Sequence, residues 1–162
     1  MPYFDPSLSD QTFAGIAERL LSVLSAVEPR LRSLNEARAS APRAAGKWSP
    51  KQILGHLIDS AANNHHRFVR GQSEAVVRMP SYAQEHWVAS QRHGQRPWND
   101  LVELWHSYNR HLAHVIAGIP ESRRSVPVEI GADPPVTLSW VAMDYVGHIQ
   151  HHLRQILDEG AT

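Results

Sequence analysis

Two histidines one helical turn apart, His148 and His152, lie in the run DYVGHIQHHLRQI over residues 144–156. Side chains at i and i+4 leave the same strip of a helix, so both imidazoles can reach one cation. A third histidine, His56, lies in the earlier amphipathic run ILGHLID over 53–59. Three neutral imidazoles with an open position are the ligand set that makes a divalent metal chemically useful rather than merely structural. Such an ion lowers the pKa of bound water toward ~7, and it acts on a bound thiol in the same way. Two reactions come into view: hydrolysis of an ester, amide or similar bond, and attack of an activated thiol on an electrophile. A non-catalytic bundle that binds a metal or a small ligand is the competing class. The ligand set alone suits zinc, nickel, iron and copper alike. No cysteine is present, which excludes disulfides, thiolate ligands and a cysteine nucleophile. Any thiol chemistry must use a sulfur brought in by a cosubstrate.

Helical phase separates these histidines from the other eight in the chain. Successive residues rotate by ~100° about a helix axis. Around the C-terminal pair, Leu138, Ala142, Tyr145, Ile149, Leu153 and Ile156 share a core face, with His148 and His152 on one shoulder of it. His151 falls almost opposite the core and is expected at the surface. Around His56, the residues Ile53, Leu57, Ala61 and Phe68 mark the core, while His56, Ser60, Asn63 and Arg67 form a polar stripe beside it. A polar stripe at the edge of a core face is what lines an interior site in a helical bundle. Asp59 and Asp144 flank the imidazoles and are expected to orient them by accepting an N–H. Gln155 adds a polar contact. Asn63 and Arg67 are candidates to engage the polar part of a substrate, and Ser60, Tyr82, Trp87 and Gln155 to line its pocket. His65, His66, His111 and His114 read as surface residues, and His86 and His93 as loop residues. Glu103 and His106 mimic the Glu-x-x-His element of di-iron bundles, but they lie opposite the apolar face of their helix and the required carboxylates are missing.

Four helices must position these groups. The first is expected to be capped at Ser9 or Asp10 and carries Phe13, Ile16, Ala17, Leu20, Leu24, Val27 and Leu31 at helical spacing, with Pro29 kinking or ending it. Residues 37–46 read as a loop. Ser49, Pro50 and Gln52 open the second helix with a capping box, and Gly71 ends it after Arg70. The third begins near Asn99 and stops at Gly118 and Pro120. The fourth starts near Thr137 and ends before Gly160. About 27 residues separate helices two and three, too many for a simple turn. They imply a long crossover with small structure of its own, anchored by Tyr82 and Trp87. Residues 126–130 suit a short hairpin edge. The expected fold is all-α: one four-helix-bundle domain over residues 1–162, with a long crossover between helices 2 and 3.

The composition narrows the partners. At 162 residues, 42% of them hydrophobic, the chain can bury a proper core. Sixteen basic and sixteen acidic side chains cancel, leaving no electrostatic footprint for a nucleic acid. No apolar run approaches the ~20 residues that cross a bilayer. The start of the chain, MPYFDP, lacks a basic region followed by an apolar signal core, so a cytoplasmic protein with a small-molecule substrate is expected.

The string KWSPKQILGHLID over 47–59, followed by DYVGHIQHHLRQI over 144–156, resembles the DinB-like superfamily. YAQEHWV over 82–88, RPW over 96–98 and PVEIG over 127–131 extend the likeness to nearly the whole chain. The resemblance implies a four-helix bundle with a three-His site for a divalent metal, usually zinc or nickel, with the ligands falling on His56, His148 and His152. It also implies homodimers, and because characterised relatives include S-transferases that use a low-molecular-weight bacterial thiol, the expected activity is thiol S-transfer at the three-His site, with hydrolysis of small molecules or non-catalytic metal or ligand binding as the alternatives. Many relatives have no assigned activity, and the family name reflects DNA-damage induction rather than DNA binding.

Overall fold

In chain order the elements are α1 (Phe13–Arg32), α2 (Glu36–Ser40), α3 (Pro50–Arg70), β1 (Val77–Met79), α4 (Gln84–Ser90), α5 (Trp98–Ala117), β2 (Pro127–Ile130), β3 (Val136–Thr137) and α6 (Leu138–Ile156). Single 3₁₀ turns lie at His93–Gln95 and Glu121–Arg123. The structure, a computed structural model, describes Tyr3 and residues 11–157. The four long helices α1, α3, α5 and α6 are those expected from the periodicity, and they form a four-helix bundle.

Helix α3 begins as its sequence requires. Ser49 accepts from the Gln52 N–H, Gln52 Oε1 accepts from the Ser49 N–H at 2.9 Å, and Pro50 occupies the first turn, where its missing N–H is harmless. Thr137 caps α6 by accepting from the Trp140 N–H at 3.2 Å. At α1 the observed cap is Thr12, which accepts from Gly15 N at 3.1 Å; the expected caps Ser9 and Asp10 lie outside the described residues. Pro29 does not end α1. The helix runs on to Arg32, because Leu31 is fully buried and its carbonyl accepts from the Trp98 indole N–H at 2.7 Å. The first four residues of the stretch expected as a loop belong to α2, capped by Asn35 through the Arg38 N–H.

Helix directions explain the long crossover. Glu36 accepts from the buried Lys51 ammonium, at the start of α3, and from the Trp98 N–H at 3.0 Å, at the start of α5. Helices α3 and α5 therefore begin at the same end of the bundle and run parallel. A parallel neighbour cannot be reached by a tight turn, since the chain must first return along a helix of about 30 Å. Helices α3 and α6 instead run antiparallel, with Gly71 at the end of α3 packed on Leu138 at the start of α6. On its way back the crossover supplies β1, which pairs in parallel with β2, itself antiparallel to β3. It then lays α4 and the 3₁₀ turn along α3. The strands at 127–130 and 136–137 supply the expected hairpin edge.

The core is filled by Leu20, Leu24, Leu54, Leu57, Leu101, Trp105, Tyr145 and Ile149 from the four long helices. A buried polar link crosses it: Tyr145 Oη donates to Asn109 Oδ1 at 2.5 Å, and Asn109 Nδ2 donates to the Trp105 carbonyl at 2.8 Å. The crossover is latched to α3 by Asp59, whose Oδ1 accepts from Gln91 Nε2 at 2.5 Å and from His93 Nε2 at 3.2 Å. The His93 ring fills the space that a side chain on Gly55 would need. Replacing Gly55 by Ala is expected to push against this buried ring, cost roughly 1–3 kcal/mol and lower the melting temperature by several degrees. Gly94→Ala, with no atom within 4 Å of the new carbon, serves as the neutral control; equal melting curves for the two variants would remove the latch.

Candidate metal centre

The antiparallel contact of α3 and α6 brings His56 against the turn of α6 that carries His148 and His152. Nε2 of His56 and Nε2 of His148 lie 3.1 Å apart. One donor atom from each of the three residues lies within 4.8 Å of the other two. Ring centroids are separated by 4.5 Å for the α6 pair, and by 5.1 and 4.9 Å from His56 to His148 and His152. Two nitrogens each ~2.0–2.1 Å from a zinc-like ion at an angle near 100° stand about 3 Å apart, so the His56–His148 spacing fits a shared ion. Among the described residues this is the one such cluster of His, Cys, Asp or Glu.

Electrostatics hold the three rings in their ligand form. Burial lowers the pKa of His148 to about 2, with smaller contributions from His152 and His56. Burial likewise lowers His56 to about 4, helped by His152 and opposed by Asp59. His152 is lowered by burial, against a hydrogen bond to Gln155 that raises it. All three are neutral at pH 7, with a lone pair free on one nitrogen.

The outer nitrogens decide which lone pair faces inward. Gln155 Oε1, which can only accept, is 2.8 Å from His152 Nδ1, so that nitrogen carries the proton and Nε2 is left as donor to an ion. Ser60 Oγ lies 3.4 Å from His148 Nδ1, and its hydroxyl can serve that nitrogen as donor or as acceptor. His56 Nδ1 is buried and meets no hydrogen-bond partner among the described residues. Its ring is instead placed by packing, with the Trp48 ring 5.4 Å away.

The remaining candidates divide between the trio and its surroundings. Ser60 and Gln155 touch the imidazoles directly. Asp59, expected to orient an imidazole, is engaged by Gln91 and His93. Asp144, expected in the same role, accepts from the Tyr3 N–H at 2.6 Å. Asn63 turns back along α3, donating to the Asp59 carbonyl at 2.9 Å. Arg67 is buried and donates to Asn64 Oδ1 at 3.0 Å, and burial lowers its pKa. Tyr82 meets Trp87 at 5.1 Å between centroids; burial and then Asp59 raise its hydroxyl to about 12.

His151, expected to face solvent, is half-buried: its Nε2 lies 2.9 Å from Gln155 Nε2, and its ring lies 4.7 Å from that of Tyr3. His93, expected as a loop residue, is 3% exposed. Neither Trp48 nor Tyr3 was singled out by pattern, and no spacing rule marks them, because both approach the site from outside the helices. Glu103 is exposed and His106 pairs with Glu28 at 3.3 Å, away from any second carboxylate–histidine element.

A family model described as the DinB superfamily matches residues 19–156. No curated protein matches the chain. Among solved structures, YfiT from Bacillus subtilis, described as a probable metal-dependent hydrolase with an unusual four-helix bundle topology, matches with a TM-score of 0.80. Sequence identity is 18%, over 96% of this chain and 89% of that one, a likeness that bears on the fold.

Because Gln155 fixes the tautomer of His152, its role is measurable without knowledge of the reaction. Gln155→Leu is expected to weaken divalent-ion affinity about 10–100-fold while leaving far-UV circular dichroism unchanged. Calorimetric titration with zinc checks this, and undiminished affinity in the variant would show that His152 needs no partner to present Nε2.

Proposed function

The chain belongs to the DinB superfamily, and from that premise and the three-imidazole site we propose that it is a divalent-metal-dependent enzyme acting on a small molecule. The observation that carries this reading is the convergence of His56, His148 and His152, with donor atoms within 4.8 Å and every ring neutral. A cation bound there, zinc or nickel in this reading, supplies Lewis-acid activation of water or of a thiol at neutral pH. Three protein ligands leave coordination positions for that small nucleophile.

The chain's own residues supply position and enclosure. Gln155 holds His152 in one tautomer, and Ser60 contacts the outer nitrogen of His148. Trp48 and the apolar core keep solvent from the inner side of His56. Along the same stripe of α3, beyond Ser60, lies the buried Arg67, and Tyr82 beside its charge keeps its hydroxyl protonated. Together they suit a substrate with a polar or anionic portion.

Hydrolysis is the first reading, supported by the description of YfiT, whose fold this chain shares. Transfer of a low-molecular-weight bacterial thiol to an electrophile is the second. It is supported by the resemblance of the histidine motifs and is consistent with a chain that has no cysteine of its own. A metal- or ligand-binding protein without turnover is the outcome if both fail.

The test begins with metal analysis of protein purified without a histidine tag. About one divalent ion per chain is expected in the wild type, and none in His56→Ala or His148→Ala. Metal-loaded protein is then screened against model esters without thiol, and against monochlorobimane with a bacillithiol- or mycothiol-type thiol. Turnover in the first screen that His148→Ala abolishes supports hydrolysis; turnover confined to the second supports thiol transfer. Chains that bind no ion after reconstitution overturn the proposal.

A further inference from the structure

Gly147 lies on the side of α6 turned away from Leu138, Ala142, Tyr145 and Ile149, where a helical residue is expected to face solvent, yet it is buried. Tyr3 is what covers it. A β-carbon on residue 147 would fall on the Tyr3 carbonyl oxygen and lie 2.8 Å from the Tyr3 carbonyl carbon. Only glycine leaves room for the backbone to lie this close to the helix. Three residues earlier on α6, Asp144 Oδ1 accepts from the Tyr3 N–H at 2.6 Å. The backbone of Tyr3 is thus held on both sides, by a vacancy at Gly147 and a hydrogen bond at Asp144.

This seat delivers the ring to the trio. The Tyr3 centroid lies 5.0 Å from that of His148 and 5.9 Å from that of His152, with His151 at 4.7 Å. Two of the three imidazoles are therefore packed on their outer side by an aromatic ring from a distant part of the sequence. The ring is itself 36% exposed, so it stands between those imidazoles and solvent rather than in the core.

We propose that Tyr3 is a docked wall of the three-imidazole site: Gly147 and Asp144 form its seat, and its ring governs access of ions and small molecules to His148 and His152. The proposal deepens the metal-site reading and rests on it for one of its two readouts. The wall must shift, or the guest must pass along its edge, before the outer side of the α6 imidazoles is reached. The tyrosine also shapes what fits, since an aromatic face favours a guest with a flat or apolar portion.

The experiment uses the full chain with Tyr3→Ala, Tyr3→Phe and Gly147→Ala. In metal-loaded protein the rate of cobalt or zinc loss to excess EDTA is followed. In metal-free protein the ethoxyformylation of His148 and His152 by diethyl pyrocarbonate is followed by peptide mass spectrometry. Tyr3→Ala and Gly147→Ala are expected to speed both processes by about fivefold or more, whereas Tyr3→Phe, which keeps ring and seat, stays at the wild-type rate. Tyr3→Ala alters a residue outside every helix, so it decides the matter even if Gly147→Ala fails to fold. Equal modification rates in Tyr3→Ala and the wild type overturn the wall. A chain that binds no metal defeats the proposed function, yet the modification rates still decide the role of Tyr3.

Discussion

The antiparallel contact between α3 and α6 is the constraint on which the site depends. One imidazole comes from the first half of α3 and two from the second half of α6, 92 residues away between His56 and His148. Only helices running in opposite directions, with Gly71 against Leu138 at one end, bring those halves level. The same contact takes the rings out of water. Desolvation disfavours the imidazolium, so burial and readiness to bind a cation have one cause. Burial of polar rings also has a cost, which is offset where the outer nitrogen is satisfied. That holds for His152 through Gln155 and is approached for His148 through Ser60, but among the described residues His56 Nδ1 has no such partner.

A second feature follows from the parallel run of α3 and α5. The chain has to travel back along the bundle between them, and it does so over the polar flank of α3. A side chain such as Asp59 would otherwise face water. Instead it is 1% exposed and holds the crossover down through Gln91 and His93. The connection that topology demands is therefore also the cover that makes α3 buried on nearly every side. Lys51, Asn63, Asn64 and Arg67 are buried on the same helix, Lys51 against Glu36 of α2. The crossover also explains why Gly55 sits where the His93 ring needs space.

What could be read in advance was local. The capping box at Ser49, the glycine stop at Gly71 and the core faces of α3 and α6 follow from period and propensity, which act within one or two turns. The pairing of His148 with His152 is of the same kind, and helical phase was enough to place His56 on the matching shoulder. What could not be read depends on chain segments that meet only in the folded molecule. His93 looked like a loop residue because its burial is conferred by α3. His151 looked exposed because nothing in α6 shows that Tyr3 lies against it. Asp59 and Asp144 stand at the right sequence distance to support imidazoles, but other partners reach them first. Helix α2 was missed because its five residues are too few to show a period, and Glu36 becomes meaningful only once Lys51 and Trp98 are beside it.

The three candidate ligands are not equivalent in how they are positioned. His148, His152 and the supporting Gln155 all belong to one helix, so their mutual geometry exists wherever α6 is helical. His56 joins them only through tertiary packing, and its ring is placed by neighbours such as Trp48 rather than by a hydrogen bond. A cation held by all three therefore reports on the packing of α3 against α6, and by linkage it stabilises that packing, because the unfolded chain offers the pair at best and not the set of three. The crossover latched at Asp59 packs on the same helix that supplies His56. The placement of His56 then depends partly on residues that do not touch its ring.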